Sequence, residues 1–118
     1  MYLQFKELEI WKKGYSLLLE IYTLTKRFPE DERFCLTAQL RRSANSIIAN
    51  IAEAHSRFYY KDKVKSLYVA RAELAESQSH ILVGNGLGYI PQNECDALTM
   101  EYDGLRMGID CFIKKILN

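Results

Sequence analysis

The feature that most constrains this fold is the apolar register of residues 36–58. Leu36, Leu40, Ala44, Ile47, Ile51, Ala54 and Phe58 recur at steps of 4, 4, 3, 4, 3 and 4. Side chains three and four residues apart return to one side of an α-helix, so this run describes a helix with a single continuous seam, close to a heptad. A period near 3.5 runs along almost the whole chain, and the alternation of a half-buried strand is absent. The fold class is all-α.

The remaining helices are read the same way. In the first, Leu8, Trp11, Tyr15, Leu18, Tyr22 and Thr25 form one seam, and Ile10, Leu17, Ile21, Leu24 and Phe28 form a second beside it. Two adjacent seams make a face wider than a lone surface helix needs. Lys26 and Arg27 place cations at the negative end of its dipole. Pro29, followed by Glu30, Asp31 and Glu32, predicts that the second helix opens at Pro29. Its end near Phe58 is weakly marked, with no Gly or Pro and no clear N-cap before Lys61. The third helix carries Val64, Leu67, Tyr68, Leu74, Ala75, Ile81 and Leu82 and stops in Gly84-Asn85-Gly86-Leu87-Gly88, where glycine permits the left-handed turn that ends helices. Pro91 opens the last helix, with its seam at Leu98, Tyr102, Leu105, Ile109, Phe112 and Ile116. Four amphipathic helices with short connections predict an antiparallel up-down four-helix bundle, one domain spanning 1–118.

Composition narrows the class. With 118 residues, 48% hydrophobic and 26% charged, the chain suits one soluble globular domain. No run approaches the roughly 18 apolar residues of a membrane span, and the opening Met1–Gly14 segment mixes acids with apolar residues, unlike a secretory signal. A cytoplasmic protein with no membrane partner is expected. Cys35, Cys95 and Cys111 lie far apart and read as small helix residues. The net charge is only +1, but residues 41–71 hold seven cations against Glu53 and Asp62, leaving −4 for the rest. Such asymmetry marks either an anionic partner or a solvated helix face.

On the second helix a polar row, Gln39, Ser43, Ser46, Asn50, Glu53 and Arg57, precedes the apolar seam by one position. Ile48, Ala49 and Ala52 keep much of the remaining circumference apolar or small. Two accounts are open. The polar residues can form a buried network between helices, with Glu76 as a partner on the third. Alternatively, Gln39, Ser46, Ile48, Ala49, Asn50, Ala52 and Glu53 can face a neighbouring subunit.

Catalytic chemistry is not visible. Bundle metalloenzymes use Glu-x-x-His pairs, yet Ala52 and Ser77 stand three residues before His55 and His80. No Walker-type phosphate loop occurs, and the glycine cluster follows a helix where nucleotide folds need a strand. No Ser or Cys has a nucleophile elbow. Glu73 and Glu76 share a face, as salt-bridging carboxylates usually do. The chain reads as no enzyme, with no metal and no cofactor.

Several short motifs together carry a resemblance. They are Leu8-x-x-Trp11, Phe28-Pro29 followed by Glu32, Leu36-x-x-Gln39-Leu40-Arg41-Arg42, Asn50-Ile51-Ala52-Glu53, then Ala70 and Glu76, and Leu87-Gly88-Tyr89-Ile90. The chain resembles the four-helix-bundle proteins encoded in intervening sequences of 23S rRNA genes, a family similar to the accessory proteins of diversity-generating retroelements. The chain departs from the family at Ala54, where glycine is usual, and at Tyr59-Tyr60, where a small N-cap is usual. The resemblance implies a homopentamer with a central pore. In the retroelement relatives, a basic surface binds nucleic acid and the assembly associates with a reverse transcriptase. By that likeness the cations here are Arg41, Arg42, Arg57, Lys61, Lys63, Lys65 and Arg71. The expectation is a nonenzymatic homo-oligomeric module binding RNA or DNA through residues 41–71, with Tyr59, Tyr60 and Tyr68 either stacking on bases or packing at the bundle end. The alternative is an oligomeric protein-interaction scaffold with no nucleic acid.

Overall fold

The computed structural model describes residues 4–118. A 3-10 turn at Phe5–Glu7 leads into α1 (Glu9–Thr25), and a second at Glu30–Glu32 precedes α2 (Leu36–Ser56); α3 (Tyr60–Gly86) and α4 (Gln92–Leu117) complete the fold, with no strand among the described residues. Each helix packs on the next, and α4 returns against α1. Arg41 Nε near the start of α2 donates to Thr25 Oγ1 at the end of α1 (2.8 Å), and Arg27 just beyond α1 pairs with Glu94 at the start of α4 (2.7 Å). Such end-to-start pairings make neighbours antiparallel, as an up-down bundle requires. No described helix is long and apolar enough to cross a membrane.

The core is formed by the periodic seams. Leu17, Ile21, Leu40, Ile47, Ile51, Leu67, Leu74, Ile81, Tyr102, Leu105 and Ile109 are all essentially inaccessible. α1 and α2 approach unusually closely at Gly14. A Cβ there would stand 2.4 Å from Ile48 Cγ2, so only glycine admits the isoleucine. Ala54, in place of the family's glycine, is 2% exposed and faces the core of its own protomer.

The chain departs from sequence expectation in four places. First, Pro29 does not open α2: it is extended (φ −56°, ψ 146°), its three following acids make only a 3-10 turn, and Cys35 (φ −117°, ψ −104°) separates that turn from the helix. Glu32 serves both ends of this break, its carboxylate accepting the Leu36 N–H at 3.3 Å and the Tyr89 hydroxyl at 2.8 Å. Second, α2 stops at Ser56, so Phe58 leaves the core seam and is 85% exposed. Third, Tyr15 and Tyr22 lie at the edge of α1 and remain exposed; Trp11 and Tyr15 stack on each other with centroids 5.1 Å apart.

The fourth difference is on α3. Its buried track is Val64, Leu67, Ala70, Leu74, Ser77, Ile81 and Gly84, whereas Tyr68, Ala75 and Leu82 point outward. Small residues on that track let α3 lie close to α2, where Ser43 and Ser77 hydroxyls share a buried 2.7 Å hydrogen bond. Gly84 is a packing contact inside the helix, against Ile90, rather than its terminus. The left-handed residue that turns the chain toward α4 is Gly88 (φ +84°).

Candidate functional site

Most cations of the basic segment are engaged within the protomer. Arg41 lies over the Tyr22 ring, 4.5 Å from its centroid, while donating to Thr25. Arg42 bridges to Glu73 (3.2 Å) and Glu76 on α3 and also donates to Gln39 Oε1. The Glu76 hydrogen bond raises the guanidinium above its ordinary value. Arg57 pairs with Glu53 one turn back, and Arg71 with Asp110 on α4 (3.4 Å). Lys63 Nζ donates to the Ala54 and His55 carbonyls (3.3 and 3.0 Å), closing the end of α2. Lys61 and Lys65 are the exposed members of the set to which no ion pair attaches among the described residues. They lie in the first turns of α3, just after an exposed aromatic turn, Phe58, Tyr59 and Tyr60.

Residues 41–71 therefore do not present one cationic face. What the helix period placed together in charge, the fold divides: Arg41 turns toward α1, Arg42 and Lys63 bridge α2 and α3, and Arg71 turns toward α4. A groove of about 190 Å³ between α2 and α3 does bring Asn50, Glu53, Arg57 and Lys65 together, beside Asp62, Ser66 and Val69. Its two acids balance its two cations, so it is no anion pocket.

The polar row of α2 forms part of a network between helices, but not as one unit. Gln39 joins α3 through Arg42, and Glu76 accepts from both Arg42 and His80 Nε2 (3.2 Å). The bond from His80, then Arg42, holds the Glu76 carboxyl below its ordinary range. Asn50 instead bonds back to Ser46 on its own helix, at 2.8 Å to the carbonyl. Ile48 is 7% exposed and fills the Gly14 gap, so it belongs to the α1–α2 contact and not to an outward face. Ala49 is exposed and Ala52 half-buried.

The outward apolar surface lies on α3. Tyr68 (50% exposed), Val69, Leu82 and Val83 point to solvent, with Ala72, Ala75 and Ser79 between them. From Ala72 to Val83 the only charge toward this side, Glu76, is already held by Arg42 and His80. Periodicity missed this face because it scores every bulky residue as core, and on α3 Leu67, Leu74 and Ile81 are core while their neighbours Tyr68 and Leu82 are not. The signal was the second track of Tyr68 and Leu82 beside the first. On the far side of the bundle, α1 and α4 leave a groove of about 740 Å³ between Lys13, Leu19, Glu20, Leu24 and Arg27 on one wall and Glu94, Ala97, Leu98 and Glu101 on the other.

No cluster of three or more His, Cys, Asp or Glu able to hold a metal occurs among the described residues. Fold and surface define a small four-helix bundle whose distinctive features are faces rather than a chemical pocket. The chain belongs to the 23S rRNA-intervening sequence protein family, whose model matches residues 6–110. It is similar in fold to a protein of unknown function from the S23 ribosomal protein family of Bacteroides thetaiotaomicron VPI-5482, whose crystal structure extends to 1.70 Å; the TM-score is 0.82 at 24% identity, covering 89% of this chain and 98% of that one. No curated protein matches the chain.

Proposed function

We propose that the chain is a nonenzymatic, homo-oligomeric bundle that presents its α2–α3 turn to RNA or DNA. The observation that carries the oligomer is the outer face of α3, where Tyr68, Val69, Leu82 and Val83 are exposed and the charged residues between them, Arg71, Glu73 and Glu76, are held in ion pairs within the protomer. A helix that is apolar on both sides is suited to burial on both sides, and a contiguous apolar patch on a small protein marks an interaction surface. Pentameric stoichiometry is the family-derived form of this reading.

Nucleic acid binding rests on a smaller surface than the whole basic segment. Lys61 and Lys65 remain for phosphate, and Phe58, Tyr59 and Tyr60 stand beside them with rings available for stacking. Repetition of this turn around an oligomer multiplies a local positive field that one protomer only weakly provides. The internal engagement of Arg41, Arg42, Arg57, Lys63 and Arg71 favours the second reading, an oligomeric protein scaffold without nucleic acid.

Light scattering with and without a pool of short structured RNA and DNA, at low and moderate salt, separates the two. The expected result is an oligomer that gains mass with nucleic acid, loses it as salt rises, and loses the gain on Lys61→Glu with Lys65→Glu. An oligomer indifferent to nucleic acid would leave the scaffold reading. A monomer of 13.7 kDa would remove both.

A further inference from the structure

We propose that the outer face of α3 in one protomer seats in the α1–α4 groove of a second copy, so that the contact is head-to-tail. This rests on the oligomeric reading above and adds which face meets which. The two surfaces are complementary in form, one an apolar ridge and the other an apolar-floored trough. Ala75, Ser79, Leu82 and Val83 make the ridge; Leu19, Leu24, Ala97 and Leu98 line the trough. Leu19 and Leu82 are each at least half exposed in the lone chain, at 50% and 56%.

Charge selects the occupant. Lys13 pairs with Glu101 and Arg27 with Glu94 across the groove, so four of its five charged groups already neutralise one another. A charged segment entering there would strand ions or break these pairs, whereas an uncharged ridge buries apolar area without doing either. The α3 face between Ala72 and Val83 offers such a ridge, its one flanking carboxylate, Glu76, being already paired with Arg42 and His80. It cannot fill the groove of its own chain, because α1 and α3 are diagonal in the bundle, with no close backbone approach.

The two surfaces also lie at the same height. Gln78 Nε2 donates to the Thr99 carbonyl (3.3 Å) and to Asp103 Oδ1 (2.9 Å), which levels the middle of α3 with that part of α4. Leu82 and Val83 are one turn further toward the start of α4, at the level of Ala97 and Leu98. Copies related by rotation about an axis along the bundle therefore bring ridge to groove without axial slip, the condition for a closed ring rather than a filament.

A mixing experiment tests this contact. Leu82→Arg spoils the ridge and Ala97→Arg spoils the groove, each at an exposed position where the fold, checked by circular dichroism and thermal melting, is retained. Leu19→Arg serves as a second groove variant if Ala97→Arg does not fold. Each variant alone is expected to be monomeric over a concentration series in sedimentation. Mixed in equal amounts they keep one intact ridge and one intact groove, and form a one-to-one pair of twice 13.7 kDa that cannot grow. If groove variants assemble like the unaltered chain, or if two monomeric variants fail to pair on mixing, the head-to-tail contact is wrong while the oligomer stands. If the unaltered chain is itself a monomer, the oligomeric reading falls and this contact with it.

Discussion

Glu76 ties a cation of α2 to an imidazole of α3. It accepts from His80 on its own helix and from Arg42 on α2, and these bonds lower its pKa. A carboxylate held below its ordinary value contributes stability that is complete above the ordinary carboxylate range and lost as pH falls through the lowered value. Acid unfolding should therefore include a Glu76 component below about pH 4.5. In Glu76→Gln that component is absent, so urea melts from pH 6 down to pH 3 should fall less steeply than those of the unaltered chain. The carboxylate is 37% exposed, so water weakens the pair and the difference is under about 1 kcal/mol. An identical pH slope in the two proteins would contradict this role. The sequence suggested Gln39 and Glu76 as members of one interhelical network, but it was unreadable for the fate of the cations, including Arg42, which joins the two. Arg41, Lys63 and Arg71 looked like one basic segment because charge was counted along the chain. Side-chain direction, set by helix phase and by neighbours far away in sequence, sends them to Thr25, to the α2 carbonyls and to Asp110.

Among the elements, α1 and α2 meet through Gly14 and Ile48. Replacing Gly14 by alanine improves helix propensity by about 1 kcal/mol, yet its Cβ would collide with Ile48 Cγ2 at 2.4 Å. The clash dominates, and Gly14→Ala should be destabilising by about 1–3 kcal/mol, as overpacked cores are. Ile48→Ala in the same chain removes the colliding methyl, so the double variant should lose less than the sum of the two singles in a denaturant cycle. Simple additivity would show that the two side chains do not share this space. The helices themselves were legible from period and from Gly and Pro, most cleanly for α4, where Pro91 immediately precedes Gln92. α2 was less so, because proline and acids also suit a 3-10 turn, and nothing local in Cys35 announces the break that follows. On α3, Val64, Leu67, Leu74 and Ile81 are core as the period predicts, while Tyr68, Ala75 and Leu82 face outward. Ala70 and Ser77 are inside where α2 comes close and Gly84 where Ile90 packs on it, and that tertiary demand outranks the hydrophobicity of Tyr68 and Leu82.

For the whole molecule, the outer surfaces differ in kind. α1 exposes Tyr15, Leu19 and Tyr22 among Glu9, Lys12 and Glu20, while the second half of α3 exposes Leu82 and Val83 beside Ala72, Ala75 and Ser79. Burying such a face is worth about 25 cal/mol per Å² of apolar area before the cost of association is subtracted. The sequence reading put an excess of small and apolar residues at Ile48, Ala49 and Ala52 on α2, where Ala49 is exposed and Ala52 half-buried. Ile48 is consumed by the α1–α2 contact, and the unpartnered area is on α3. Self-association through that face is the central claim, and sedimentation equilibrium of the unaltered chain beside Leu82→Arg tests it most directly. The expected mass is three or more times 13.7 kDa for the unaltered chain, with a folded monomer for the variant. A mass of 13.7 kDa for both, independent of concentration, would contradict it.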